Sequence, residues 1–229
     1  MTRVLVVGAR GGSVGAAISQ QAHSLGYSVV TAGITNEDVT MDLVSDNRGA
    51  LAAKLATIQP EHIVCTVGMN MPEPLDHDDP SDWYRWHFET NVTGPMKLLH
   101  AWTSLLGVGG GLNHYVAISS NSAHVPRSGS AAYCASKAAL SQALRVKARE
   151  GAVRPGSPIV YGYEPGLVAG TPMTEHTAQS WPGQPLTRMR DPRLAQGVSV
   201  GALAWLVVQN LTLGPELNGV LLRIDADEA

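Results

Sequence analysis

Val4-Leu5-Val6-Val7 runs straight into Gly8-Ala9-Arg10-Gly11-Gly12-Ser13-Val14-Gly15, and Ala16, Ala17 and Ile18 continue the chain. Four consecutive apolar residues, three of them β-branched, read as a buried strand, and the apolar spacing from Val14 to Leu25 reads as a helix. The join between them is dense in glycine. Without Cβ atoms, backbone N–H groups and the positive end of the helix can come close to an anion such as a pyrophosphate. Glycines alone mark only a tight turn; their place between a first strand and a first helix is what predicts a dinucleotide site. Gly8, Arg10, Gly12, Ser13, Val14 and Gly15 are its candidate contacts.

The same alternation continues outward from this turn. Short β-branched runs recur at Ser28 to Ala32, His62 to Val67, His114 to Ser119, Ile159 to Tyr163 and Val220 to Ile224. Helical spacing fills Arg48 to Ile58, Asn91 to Leu106, Ala131 to Glu150 and Leu194 to Gln209. Parallel strands need crossovers long enough to hold a helix, so the pattern predicts an α/β fold: a Rossmann-like, doubly wound parallel sheet covered by helices on both faces. A chain of 229 residues with 44% hydrophobic content can bury one substantial core, and one domain is expected. The exception to short connections is Pro165 to Pro192, whose length and Gly and Pro content predict a substrate lid around 167–190.

Composition narrows the partners. Sixteen basic and 19 acidic residues give a net charge of -3 without a basic run, which argues against nucleic acid. No stretch approaches the ~20 apolar residues that span a bilayer, and Val4 to Val7 is too short for the core of a signal sequence. Cys65 and Cys134 stand far apart with no Cys-x-x-Cys pair, so neither a disulfide framework nor a thiolate zinc site is expected, and a reducing cytoplasm fits. Asp76-His77-Asp78-Asp79 is acidic but consecutive rather than convergent, and reads as a solvated loop rather than a metal site.

Chemistry concentrates in the middle of the chain. Tyr133 and Lys137 are four apart near the start of a helix and share one face. Ser120 precedes Tyr133 by thirteen residues and follows the strand ending at Ser119, at the carboxyl edge where open α/β sheets present ligands. Strand alternation turns its neighbour Ser119 the other way. Cys134 reads as a small packed residue, since no partner base stands at a meaningful spacing. Trp83 and Trp86 read as core or subunit-contact residues.

With Asn91 opening Asn91-Val92-Thr93-Gly94, the sequence resembles the short-chain dehydrogenase/reductase family, whose Asn, Ser, Tyr and Lys tetrad falls on Asn91, Ser120, Tyr133 and Lys137. The resemblance extends to Pro165-Gly166 and Thr171-Pro172-Met173, which match the family's segment holding the nicotinamide carboxamide, and to Pro185 to Pro192 and Asn218 to Asp225 at the close. It implies cofactor contacts at Asp42, Leu43, Gly68, Pro165, Gly166, Val168 and Thr171, besides Tyr133 and Lys137. A solvated loop carboxylate is the equally open reading of Asp42. The sequence departs from the family in one extra residue in the glycine turn, one more between Pro165 and Thr171, and Cys65-Thr66-Val67-Gly68 in place of Asn-Asn-Ala-Gly.

The implied reaction is hydride transfer between a nicotinamide and a carbonyl or secondary alcohol, with Tyr133 as general acid and base. Poising a tyrosine of pKa ~10 near ~7 takes about three units, roughly 4 kcal/mol, which Lys137 and an oxidised nicotinamide would supply by Coulomb attraction. Ser120 would donate to the substrate oxygen, while Asn91 would hold a water relaying protons from Lys137. Met173, Trp181 and Leu186 on the lid predict an uncharged, largely apolar ketone or alcohol, contacted also by Ser120 and Tyr133. NADP(H) is expected over NAD(H): Gly33 stands where NAD-specific folds carry an acid, and Arg10 could pair with a 2′-phosphate, its other reading being a solvated arginine. Homo-oligomerisation follows from the resemblance. The competing function is a catalytically silent dinucleotide-sensing protein on the same fold.

Overall fold

The computed structural model of the protein describes residues 1–35, 37–71, 81–107, 112–127, 129–175 and 197–224. Seven strands form one parallel sheet: β1 (Arg3–Val7), β2 (Ser28–Gly33), β3 (Val39–Thr40), β4 (His62–Cys65), β5 (His114–Ile118), β6 (Ile159–Pro165) and β7 (Leu221–Ile224). Their order is β3-β2-β1-β4-β5-β6-β7. The chain winds outward from β1 to β3, then returns to the other side of β1 with β4. The glycine turn, which follows β1, therefore sits at the topological switch point, where such sheets open a crevice.

Side-chain alternation along these buried strands feeds two cores. Leu5, Val7, Ile63, Cys65, Tyr115 and Ala117 face one side, where α2 (Arg48–Ile58), α4 (Gly94–Thr103) and α5 (Ala131–Ala152) contribute Leu51, Leu98, Trp102, Leu140 and Leu144. Val4, Val6, Val64, Val116 and Tyr161 face the other, under α1 (Val14–Ser24) and α6 (Val200–Asn210), which bring Ile18, Ala22, Leu203 and Val207. The three-layer Rossmann-like fold expected from the sequence is the one found.

Three boundaries differ from expectation. The two-residue β3 is too short for a periodic signal. The helix expected from Asn91 instead begins earlier, as α3 (Ser81–Phe88), and passes through a π-helical turn at Glu89–Thr93 before α4 starts, with Pro95 in its first turn. The helix expected from Leu194 begins at Val200. Gly197 has a positive φ of 68°, Val198 bridges Val168, and the Ser199 side chain caps the helix by accepting from Ala202 N–H. Residues 194–196 and most of the expected lid lie outside the described residues. Among the described residues, no helix is long and apolar enough to cross a membrane.

Candidate active site

The glycine turn is closed by steric necessity. Gly8 has φ 91°, and a Cβ there would stand 2.8 Å from Thr66 Oγ1. A Cβ on Gly15 would fall 2.6 Å from both Gly8 O and Thr66 Oγ1, so α1 can start this close to β1 only on glycine. Ser13 caps α1, accepting from Ala16 N–H at 3.2 Å and donating to Gly8 O at 3.1 Å. Thr66 Oγ1 lies 3.0 Å from both Val7 O and Gly8 O. Its hydroxyl thus ties β4 to the turn from a position where the resembling family has asparagine. Arg10 is exposed on the turn, and the Pro172 ring lies 3.6 Å from where a Gly12 Cβ would be, so the 171–175 segment borders the same crevice. Val14 lies at the first turn of α1.

At the adenosine end, the expected contacts divide. Asp42 accepts from Ser45 Oγ at 2.7 Å and Val44 N–H at 2.9 Å, bonds that hold its carboxyl below the usual range and commit it to a local turn. Leu43 is a core side chain, 2% exposed. The expectation that no acid stands at the end of β2 needs correction. Glu37 folds back with its carboxylate 2.5 Å from the position of a Gly33 Cβ, held by Thr35 N–H at 2.9 Å. Glycine at 33 leaves the space that a later residue fills.

The tetrad gathers beyond the carboxyl ends of β4 and β5. Ser120, in extended backbone at the end of β5, accepts from Ser122 N–H at 3.1 Å, and its side chain is close enough to the Tyr133 phenol to act on its ionisation. The Lys137 ammonium lies 5.7 Å from the Tyr133 ring centroid and donates to Ile118 O at 3.0 Å. Gly68 forms the floor: a Cβ there would stand 3.1 Å from Lys137 Nζ and 3.5 Å from Asn91 Oδ1. Asn91 is fully buried in the π-helical turn. Its Oδ1 accepts from Met69 N–H at 2.8 Å, while Nδ2 donates to Met69 O at 3.0 Å and Ser136 Oγ at 2.9 Å. That side chain bridges the β4 loop to α5.

Burial dominates the electrostatics. It brings Lys137 down to about 8, because an apolar surround disfavours the ammonium. It raises the Tyr133 phenol, opposed by the nearby Ser120 hydroxyl and the positive charge of Arg127.

Ser119 faces away from the site, as alternation required. Its Oγ donates to Lys137 O at 3.2 Å and lies 2.8 Å from Ser141 Oγ, which donates to the buried Glu164 carboxylate at 2.7 Å. His124 Nε2 meets the same carboxylate at 2.9 and 3.0 Å. Glu164 therefore joins the turn carrying Ser120 to the helix carrying Tyr133 and Lys137.

A sequence model described as short chain dehydrogenase matches residues 50–181, more than half of the protein. The chain belongs to the short chain dehydrogenase family. Solved structures carry the same fold at low identity. Acetoin dehydrogenase from Enterobacter cloacae superposes with a TM-score of 0.80 at 20% identity, covering 99% of this chain and 95% of that one. An aldohexose dehydrogenase from Thermoplasma acidophilum does so with 0.79 at 18% identity, covering 98% and 92%. No curated protein sequence matches.

Membership makes the protein an oxidoreductase using a nicotinamide cofactor, and the residues fit one. The crevice has a Cβ-free floor at Gly8, Gly15 and Gly68, a helix N-terminus, and a lysine at its inner end. Pro165 closes β6, Gly166 N–H donates to Ile224 O at 2.9 Å, and Thr171 is buried with Oγ1 3.2 Å from Val168 O, which fixes the segment bordering the short chain dehydrogenase crevice. Met173 is half-buried in the helical turn at 172–175. Trp181, Leu186 and the acidic stretch Asp76 to Asp79 lie outside the described residues. Among the described residues no group of three metal-ligating side chains occurs, and both cysteines are free. Sequence reasoning missed Thr66, Arg127 and Glu164. Glu164 left a signal as a lone acid in an otherwise apolar strand, and Thr66 showed only as a departure from the family's asparagine.

Proposed function

We propose that this dehydrogenase interconverts a carbonyl and a secondary alcohol with Tyr133 as the proton donor and acceptor. The observation that carries the reading is the buried Lys137 ammonium 5.7 Å from the Tyr133 ring centroid, with Ser120 near the phenol, at the carboxyl edge of the sheet and next to the glycine turn.

A bound nicotinamide supplies or accepts the hydride. The rest falls to the chain. In the reducing direction Tyr133 Oη gives its proton to the substrate oxygen as hydride reaches the carbon, and in the oxidising direction it takes that proton back. Ser120 can donate to the same oxygen, because its own oxygen is already held by Ser122 N–H. Lys137 would bind the ribose hydroxyls of the cofactor. Asn91 fixes Met69 opposite α5 and so sets the width of the pocket between them.

NADP(H) is the favoured cofactor in this reading, with exposed Arg10 pairing the 2′-phosphate and Glu37 limiting the preference. The substrate is a small, largely apolar carbonyl compound or alcohol resting in part on Met173. The protein works as a homo-oligomer. Incubation with NADPH or NADH and a panel of ketones and alcohols, followed at the nicotinamide absorbance, tests the reaction. Turnover that Tyr133→Phe abolishes supports it; cofactor binding with no turnover on any substrate points to a dinucleotide sensor.

A further inference from the structure

Asn70 lies in the loop that leaves β4, and both of its neighbours are fastened to the walls of the active site. Before it, Met69 exchanges two hydrogen bonds with the Asn91 amide, at 2.8 Å through its N–H and 3.0 Å through its carbonyl. After it, Met71 N–H donates to His87 Nε2 at 3.1 Å, and the His87 ring packs edge-on to Tyr133 with centroids 6.3 Å apart. Two residues earlier, Gly68 floors the pocket beside Lys137 Nζ. The backbone of Asn70 is therefore held at the reaction edge of the sheet by bonds that belong to its neighbours.

Among the described residues, Asn70 Oδ1 is buried without a hydrogen-bond partner. An amide oxygen taken out of water with nothing in return costs stability, and native folds keep few of them. The other such side-chain atoms among the described residues belong to His114, which begins β5 at the opposite edge of the sheet, and to Tyr161, inside β6. Asn70 is the one at the edge where the chemistry occurs. Its oxygen needs a donor, which ketone, ether, ester and carboxylate oxygens do not bring. A hydroxyl does, and being neutral it leaves no charge stranded in a poorly hydrated pocket.

We propose that Asn70 Oδ1 receives a hydroxyl of the substrate, so that the compound reduced at Tyr133 is a hydroxy ketone and the product a diol. This rests on the oxidoreductase reading above and adds one hydroxyl to a substrate otherwise largely apolar. Hydride passes from the reduced nicotinamide to the carbonyl carbon, and the Tyr133 proton passes to the carbonyl oxygen. The hydroxyl at Asn70 is carried through unchanged, and the oxidising direction reverses both transfers.

The test compares hydroxyacetone with methoxyacetone, and 4-hydroxy-2-butanone with 4-methoxy-2-butanone, as substrates of the full-length native enzyme, Asn70→Leu and Asn70→Asp. Methylation removes the donor and keeps the ketone. The native enzyme should favour at least one hydroxy ketone over its ether by ~10-fold or more in kcat/KM, since a site built to bond a hydroxyl rejects an analogue that lacks the donor. Asn70→Leu should bring that ratio toward one, and Asn70→Asp, which keeps an acceptor in place, should restore much of it. Ethers used as well as their alcohols by the native enzyme, or a ratio that survives Asn70→Leu, overturns the proposal. A raised KM for NADPH in Asn70→Leu at an unaltered ratio also overturns it and gives the amide to the cofactor. No turnover of any ketone with NADPH or NADH overturns the oxidoreductase reading itself, and this substrate with it. Urea denaturation reads Asn70 without turnover. Replacing a buried oxygen that has no partner by an apolar group removes a desolvation cost, so Asn70→Leu should unfold at a midpoint equal to or above that of the native protein. A lower midpoint makes the amide a structural group and overturns the proposal.

Discussion

The Lys137 ammonium stands 5.7 Å from the centroid of the Tyr133 ring while its hydrogen bond goes to the Ile118 carbonyl at 3.0 Å. Lysine and tyrosine thus share a face of α5 without a direct hydrogen bond, which separates their predicted phenotypes. Tyr133→Phe should leave the fold and NADPH affinity nearly intact and lower kcat by at least ~100-fold, because it removes only the proton transfer. Lys137→Ala should weaken cofactor binding as well and move the remaining activity toward alkaline pH. Calorimetric NADPH titration alongside steady-state kinetics checks both, and unchanged turnover in Tyr133→Phe would falsify the mechanism.

Asn91 offers a test of the π-helical turn. Its amide makes three hydrogen bonds, two of them closing a ring with the backbone of Met69. Asn91→Leu leaves buried groups on Met69 and Ser136 unsatisfied, so the chain should lose on the order of 2–4 kcal/mol of stability. A urea midpoint equal to that of the native protein would contradict this.

Acid sensitivity should come from the opposite edge of the sheet. His62 and His114 begin β4 and β5, with ring centroids 5.0 Å apart, and burial lowers each to about 4 from an ordinary 6.5. The unfolded chain therefore takes up protons that the folded one refuses. Stability should be full above pH 6.5, fall as pH drops from 6.5 to about 4, and level off below, at a loss on the order of 3 kcal/mol for a single imidazole. Among the described residues both nitrogens of the His114 ring lack a hydrogen-bond partner, so His114→Phe should flatten about half of this slope in urea denaturation measured from pH 7 to 4.

Cofactor choice should respond to two opposed charges. Arg10→Ala should lower kcat/KM for NADPH relative to NADH, and Glu37→Gln should raise it, since a carboxylate against Gly33 repels a 2′-phosphate. A native preference for NADH, or a ratio insensitive to Arg10→Ala, would remove the arginine from this role.

The buried carboxylate of Glu164 should act on stability before chemistry. Glu164→Ala strands Ser141 and His124 at once and should cost about 3 kcal/mol or more, whereas Glu164→Gln keeps part of the network and should cost less. Thermal midpoints of the two variants give the comparison.

What the chain revealed before folding follows from how local each signal is. The strands were legible because their β-branched runs are buried on both faces, and Tyr133 with Lys137 because four residues make one turn of helix. Ser120 was separable from Ser119 by alternation, and the two hydroxyls do point to different partners. The π-helical turn at Asn91 was hidden because its reach to Met69 and Ser136 depends on tertiary placement rather than on spacing. Thr66 was noticed only as a missing asparagine, since its purpose comes from the register of β4 against β1. Glu37 folds back on nearby backbone and Arg127 on nearby side chains, paths that composition and periodicity do not encode.

The strand order also governs how this molecule comes to exist. Val4 pairs with Val29 on one side and His62 on the other, and Gly162 pairs with Leu221, so no two neighbours in the sheet are joined by a hairpin. Apart from β2 with β3, each pairing must close a long loop before its contacts return any free energy, which makes the assembly slow and leaves apolar strand edges exposed meanwhile. The glycine turn needs β4 in place through Thr66, while the tetrad needs β5, α5 and the Asn91 turn together. Dinucleotide affinity therefore emerges late in refolding, and a dinucleotide present during refolding would draw the population toward the native state, because it binds the finished crevice and not the open chain.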